Sequence, residues 1–259
     1  SACSTPATAT ATVTVVDAPQ AGADGSISAC ESNVAVDLSA ALSGADAGGT
    51  WLDTDGTGAL NAATGEVDAS LAGVGSFTYA YVVSAAPCTD DTASIVLTIE
   101  AEPKAGTSDD TTICATAAPV DLSTVLGGNP DAGGTWSDDD ATGALTGSSF
   151  DPAGISGGSY AFTYTVTGSA CSTPATATAT VTVVDAVNAG QDDAITACAS
   201  NSAVDLFTAL GGSPDAGGTW LDDDGSGALS GSTFDASAVT PGDYNFTYFL
   251  VGTAPCKND

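Results

Sequence analysis

Histidine, arginine and methionine are absent from the chain, and lysine occurs only at Lys104 and Lys257. Against those two cations stand 32 aspartates and glutamates, for a net charge of −30. Nucleic acid and anionic lipid are excluded as partners, because binding either needs a basic footprint. The lack of histidine removes the commonest general acid and base, and the lack of arginine removes the planar phosphate clamp. No run reaches the roughly 18 apolar residues of a membrane helix. The first residues carry no secretory leader. They fall within a repeat, so the chain reads as a mature segment or an excerpt.

What is present permits a packed core. Hydrophobic residues make up 43% of the chain, and the carboxylates are scattered rather than massed. Length alone would suggest one or two domains.

Internal similarity gives the organisation. The string "GGTW" ends at Trp51, Trp136 and Trp220, at spacings of 85 and 84 residues. Cys30, Cys114 and Cys198 recur every 84 residues; Cys3, Cys88, Cys171 and Cys256 recur at 85, 83 and 85. Ser1–Ala18 repeats Ser169–Ala186 letter for letter. The expected division is the last strand of a preceding repeat at 1–19, then repeats at 20–104, 105–188 and 189–259. The third repeat stops before its last strand, and the array is expected to continue in both directions.

Within a repeat the apolar period is two. Phe77, Tyr79, Tyr81 and Val83 alternate with Ser76, Thr78, Ala80 and Val82, and the same stripe returns at 160–166 and 244–250. Ala7–Val15 alternates small apolar residues with threonines, and its counterpart turns Ile95, Leu97 and Ile99 inward. In the first full repeat the expected strands are 26–30, 34–42, 49–53, 65–70, 75–84 and 92–100. No segment carries a sustained helical stripe. The fold class is therefore all-β, as tandem immunoglobulin-like sandwiches of about 84 residues. The linkers "DAPQAG", "AEPKAG" and "DAVNAG" are short, and neighbouring modules repel one another, so the array is expected to form an extended rod.

Two cysteines per repeat point to an oxidising compartment. Pairing within each repeat would give Cys30–Cys88, Cys114–Cys171 and Cys198–Cys256, leaving Cys3 for a partner upstream. Those positions fall at opposite ends of a simple sandwich. Cys88–Cys114 across a linker, or Cys30 with Cys171 of the next repeat, therefore remain open.

After each Trp comes an acidic turn holding Asp53 and Asp55, Asp138 and Asp140, or Asp222 and Asp224. Paired carboxylates beside a tight turn are candidate Ca²⁺ ligands. They depart from the helix-loop-helix calcium loop, and a solvated hairpin turn explains the same residues. No other cofactor is expected. The tryptophans are expected in the core rather than as sugar platforms. The threonine ladder Thr8, Thr10, Thr12, Thr14 reads as an outward polar face rather than an ice-binding one. A single glycosylation sequon begins at Asn245, on a strand. No nucleophile and base recur together, and lysine is too scarce for a repeated isopeptide bond, so no catalytic residues are assigned.

The run "AGTSDDTTIC…VDLSTVLGG…GGTWSDDDATGAL…FDPAG…GSYAFTYTVTGSACSTPATATATVTV" resembles the immunoglobulin-like or PKD-like repeats of giant Bacteroidota-type surface adhesins. Those include gliding-motility-associated proteins exported by the type IX route. The resemblance covers all three repeats and implies export, surface display and a stalk or adhesive role. It also implies candidate O-glycosylation at Thr92 and Thr111. The expected function is a structural or adhesive extracellular fibre. Its partners would be copies of itself, neighbouring repeats, or glycans of a host or substratum. The alternative is a spacer or carbohydrate-binding module of a large secreted enzyme. A halophilic origin would account for the aspartates without any function.

Overall fold

The computed structural model describes residues 6–258. The chain is all-β, a series of immunoglobulin-like sandwich modules. In the first module the strands are β1 (Gly25–Cys30), β2 (Val36–Asp37), β3 (Thr50–Asp53), β4 (Leu60–Asn61), β5 (Glu66–Val67), β6 (Gly75–Val83) and β7 (Asp91–Glu100). They form two sheets, ordered β1-β7-β6-β3 and β2-β5-β4. The second module repeats this with β8 (Asp109–Cys114), β9 (Val120–Asp121), β10 (Thr135–Asp138), β11 (Leu145–Thr146), β12 (Ser149–Phe150), β13 (Gly158–Val166) and β14 (Ala175–Val184). Its sheets are β10-β13-β14-β8 and β11-β12-β9. The third has β15 (Val204–Asp205), β16 (Thr219–Asp222), β17 (Leu229–Ser230), β18 (Thr233–Phe234) and β19 (Phe246–Phe249), in sheets β15-β18-β17 and β16-β19.

The core follows from the two-residue period. On β6, Tyr79, Tyr81 and Val83 are buried, and on β7 so are Ala93, Ile95, Leu97 and Ile99. The antiparallel register sets Tyr79 opposite Ile95 and Tyr81 opposite Ala93. In the second module Phe162 packs on Phe150 at 4.8 Å between ring centroids, while Ala177, Ala179, Val181 and Val183 of β14 face inward. The first strand of each complete module runs parallel to the last, β1 on β7 and β8 on β14.

Two expected strands are interrupted. The stretch 34–42 becomes β2 followed by a 3₁₀ turn, Leu38–Ala41, and 65–70 becomes β5 followed by a helical turn, Ala69–Ala72. In each an aspartate caps the turn. Asp37 accepts from the Ser39 N–H and hydroxyl at 2.9 and 2.6 Å, and Asp68 does the same for Ser70 at 3.0 and 2.6 Å. Asp121 with Ser123, and Asp235 with Ser237, repeat the device.

By contacts the chain divides into two compact units. One runs to Pro103 and takes in the loop Thr167–Pro174; the other holds Lys104–Val166 and everything from Ala175.

Candidate functional site: the cysteine joints and the acidic turns

The joints between modules are built from three recurring parts. First, each linker is pinned to an aspartate in a reciprocal pair. The Gln20 N–H donates to Asp46 Oδ2 at 2.9 Å, and the Asp46 N–H donates back to the Gln20 carbonyl at 2.8 Å. Lys104 with Asp131, and Asn188 with Asp215, repeat the pair.

Second, the "GGTW" string holds a tyrosine. Trp51, Trp136 and Trp220 lie 4.8, 5.0 and 5.0 Å from the rings of Tyr81, Tyr164 and Tyr248. Each phenol accepts the N–H of the second glycine, Gly49, Gly134 or Gly218, and donates to the carbonyl of Asp46, Asp131 or Asp215. The same aspartate therefore grips the linker with its side chain and N–H and takes the tyrosine hydroxyl on its carbonyl. Trp51 is buried, and Trp136 and Trp220 are half-buried beside shallow grooves.

Third, the cysteines join different repeats. Cys30 is bonded to Cys171 and Cys114 to Cys256, with Cα–Cα distances of 4.7 and 4.9 Å. Cys88 and Cys198 are thiols, and Cys3 lies outside the described residues. Pairing within a repeat is ruled out by register. Cys30 stands opposite Glu100 at the far end of β7, whereas Cys88 precedes Asp91 at its start. Nine strand steps separate those levels by about 30 Å. Of the alternatives open from sequence, the structure forms the one linking Cys30 to the next repeat. Around the first bond, Ser169 Oγ donates to both oxygens of Glu100 at 2.5 and 2.7 Å, and the Ala170 N–H donates to one of them. The Ser169 hydroxyl and the Ala170 N–H hold the Glu100 carboxyl below its ordinary value.

The acidic turns are closed by their own backbone. Asp53 accepts from the N–H groups of Gly56 and Gly58 and from the Thr57 hydroxyl, at 2.8–3.0 Å. Asp55 accepts the Thr78 N–H at 2.6 Å, tying the turn to β6. Asp138 takes Thr142 and Gly143, Asp140 takes Ala161, Asp222 takes Ser226 and Gly227, and Asp224 takes Asn245. Burial pushes the Asp53 and Asp138 carboxyls up, but the hydrogen bonds of their turns outweigh it and leave both below the ordinary value. Asp222 is lowered chiefly by the Ser226 N–H.

Each turn spends one oxygen of each of its two carboxylates on N–H groups of its own protein, where a calcium cage uses six to eight oxygens. Asp138 Oδ1 and Asp222 Oδ1 are buried without a hydrogen-bond partner. Among the described residues, no three His, Cys, Asp or Glu side chains are grouped to hold a metal ion. Of the candidate glycosylation positions, Thr92 is exposed at the start of β7, and Thr111 is half-buried in the parallel ladder of β8 opposite Val181.

No protein-family model and no curated protein matches this chain. Among solved structures it is similar to an I-band fragment of titin, with a TM-score of 0.48 and 12% identity over 81% of each chain. It is also similar to the N-terminal four Ig domains of Dscam1, with a TM-score of 0.34 and 18% identity over 64% of this chain and 45% of that one. A third similarity is to immunoglobulin domains 1–5 of Sidekick-1, with a TM-score of 0.29 and 11% identity over 91% of this chain and 57% of that one.

Proposed function

We propose that the chain is a structural, adhesive repeat protein of the extracellular space, a length of surface fibre or stalk of the Bacteroidota adhesin type. The observation that carries this reading is the pair of disulfides running from one repeat to the next, Cys30–Cys171 and Cys114–Cys256. Such bonds persist in an oxidising compartment. They add nothing to a binding pocket. What they supply is a covalent shortcut along the chain, which suits a protein under tension. The tyrosine clamps and pinned linkers, repeated in all three modules, support the same role.

The test is electron microscopy of intact cells with an antibody raised against one module. Regularly labelled fibres many modules long are the expected result. Label confined to compact released particles would overturn the reading in favour of a spacer in a secreted enzyme.

The grooves beside half-buried Trp136 and Trp220 favour a second reading, in which the modules bind carbohydrate. Glycan-array binding that is lost on Trp136→Ala and Trp220→Ala would support it.

A further inference from the structure

All three modules carry the same small hairpin, and it differs between them in its loop. Between β4 and β5 the loop is Ala62-Ala63-Thr64-Gly65, whereas β11–β12 and β17–β18 are joined by Gly147-Ser148 and Gly231-Ser232 alone. The last loop residue is equivalent in each, because its carbonyl accepts the N–H of Leu38, Leu122 or Leu206. It is glycine in the first module and serine in the other two.

That exchange decides what covers the tryptophan. A β-carbon added to Gly65 would fall no more than 2.9 Å from Nε1, Cε2 and Cδ1 of Trp51. Near-equal approach to three atoms of the pyrrole ring puts the Gly65 backbone over the face of the indole rather than at its rim. Gly65 also holds φ at +79°, which a serine would adopt only under strain. The first module thus caps its own indole with an uncharged peptide, and Trp51 is 5% exposed. Ser148 and Ser232 carry the β-carbon that this seat excludes. Trp136 and Trp220 stay half-buried, and each lines, with its Gly-Ser loop, a groove of about 740 or 730 Å³.

The floor of each groove is rigid. The indole packs on Tyr164 or Tyr248 at 5.0 Å, and that phenol is held by a hydrogen bond given and one received. A platform already fixed in place spends little ordering entropy on a ligand. Neither indole N–H has a hydrogen-bond partner among the described residues. Thr135 and Ser148, or Thr219 and Ser232, line the walls, and the charged residues among the lining are Asp131 and Asp205.

We propose that these two grooves bind uncharged hexopyranose units of a glycan, and that the first module's loop is a built-in plug of the same seat. A hexopyranose has an apolar C–H face to lay on the indole. Its hydroxyls donate to a carboxylate and accept from the indole N–H. The volumes fall within the roughly 300–1,000 Å³ of small-molecule sites. Uronate, sialyl and sulfated sugars are repelled by Asp131 or Asp205 and by the field of a chain with net charge −30. The inference rests on the carbohydrate reading of the grooves and adds to it the class of sugar and the gating loop.

The experiment follows the tryptophan emission of the full 259-residue chain as oligosaccharides are added. The neutral set comprises glucans, mannans, galactans and N-acetylglucosamine oligomers; the acidic set comprises alginate and heparin fragments. A shift with a neutral sugar and none with the acidic ones is expected. Replacing Gly147-Ser148 and Gly231-Ser232 each by Ala-Ala-Thr-Gly keeps both tryptophans and uses a loop the fold already carries. Circular dichroism should be unchanged and the shift lost. The converse exchange, Gly-Ser in place of residues 62–65, should add a third responding site. A shift with the acidic sugars, or one that survives the loop replacement, would overturn this inference while leaving carbohydrate binding in place. No shift with any sugar would overturn both. A shift with tetramethylammonium alone would assign the grooves to organic cations and overturn the proposal.

Discussion

The ring of Tyr164 lies so close over Gly134 that a β-carbon added there would fall 2.5 Å from it, while the Gly134 N–H donates to the same phenol at 2.9 Å. Gly49 over Tyr81 and Gly218 over Tyr248 repeat the contact. The second glycine of "GGTW" is therefore fixed by a side chain some 30 residues further on. Gly134→Ala should destabilise the second module by about 1–3 kcal/mol, the usual cost of overpacking. Tyr164→Phe keeps the ring but strands the Gly134 N–H and the Asp131 carbonyl, for about 1–3 kcal/mol. Urea denaturation of the two variants measures both. A neutral Gly134→Ala would mean that the tyrosine gives way.

The disulfides should govern how far the chain stretches. With both intact, the shortest covalent path runs to Cys30, crosses to Cys171, returns along 57 residues to Cys114, and crosses to Cys256. Single-molecule pulling should extend the oxidised chain to about 300 Å and the reduced chain to about 900 Å, at roughly 3.4 Å per residue. Pairing within repeats would leave a covalent path of nearly the same length, so the plateau reads that the bonds are present and peptide mapping must read which cysteines they join.

Reduction should also lower thermal stability. Each bond closes a loop of 141 or 142 residues, which on the chain-entropy model contributes about 5 kcal/mol. Cys30→Ser and Cys171→Ser should give the same loss, and the double variant no more than either. Calorimetry on the three proteins decides it, and additive losses would argue against the pairing.

Calcium should leave the melting temperature unchanged. One oxygen of each of the six carboxylates already accepts an N–H group, from Gly58, Thr78, Gly143, Ala161, Gly227 or Asn245. Scanning calorimetry in millimolar calcium and in chelator should give superimposable curves. A clear upward shift with calcium would show that the turns rearrange to bind it.

Acid should loosen the same turns. Asp53, Asp138 and Asp222 have folded-state values below the ordinary 3.8. A depressed carboxyl contributes stability that is fully present above the unfolded value and is lost as pH falls through the folded one. Stability should therefore hold level on this account down to about pH 5 and decline below about pH 4. Asp138→Asn should flatten that decline. A loss beginning near neutrality would point to other groups.

The strands were legible where side chains alternate, because a half-buried strand writes its own period. That is why β6 and β7 fall close to their expected spans and β13 covers the stripe that returns at 160–166. The short turns after Asp37 and Asp68 were not expected, although the recurring Asp-x-Ser spacing is a cap signal that would have located them. The acidic turns were legible as turns. Which groups their carboxylates accept depends on β6, β13 and the residues before β19, far along the chain. The disulfide partners were equally hidden, because spacing names the classes of cysteine but not which ends of two sandwiches meet.

The sequence by itself determined the module, its period, its alternating faces and its two classes of cysteine, since these depend on residues near one another in the chain. What only the tertiary structure decided is which of these cysteines meet and which groups the acidic turns accept. Cys30 reaches Cys171, 141 residues on, and Asp55 takes the Thr78 N–H of a distant strand. Alternating alanine, threonine and valine make a strand available, but a strand's hydrogen bonds and its burial both belong to its neighbours.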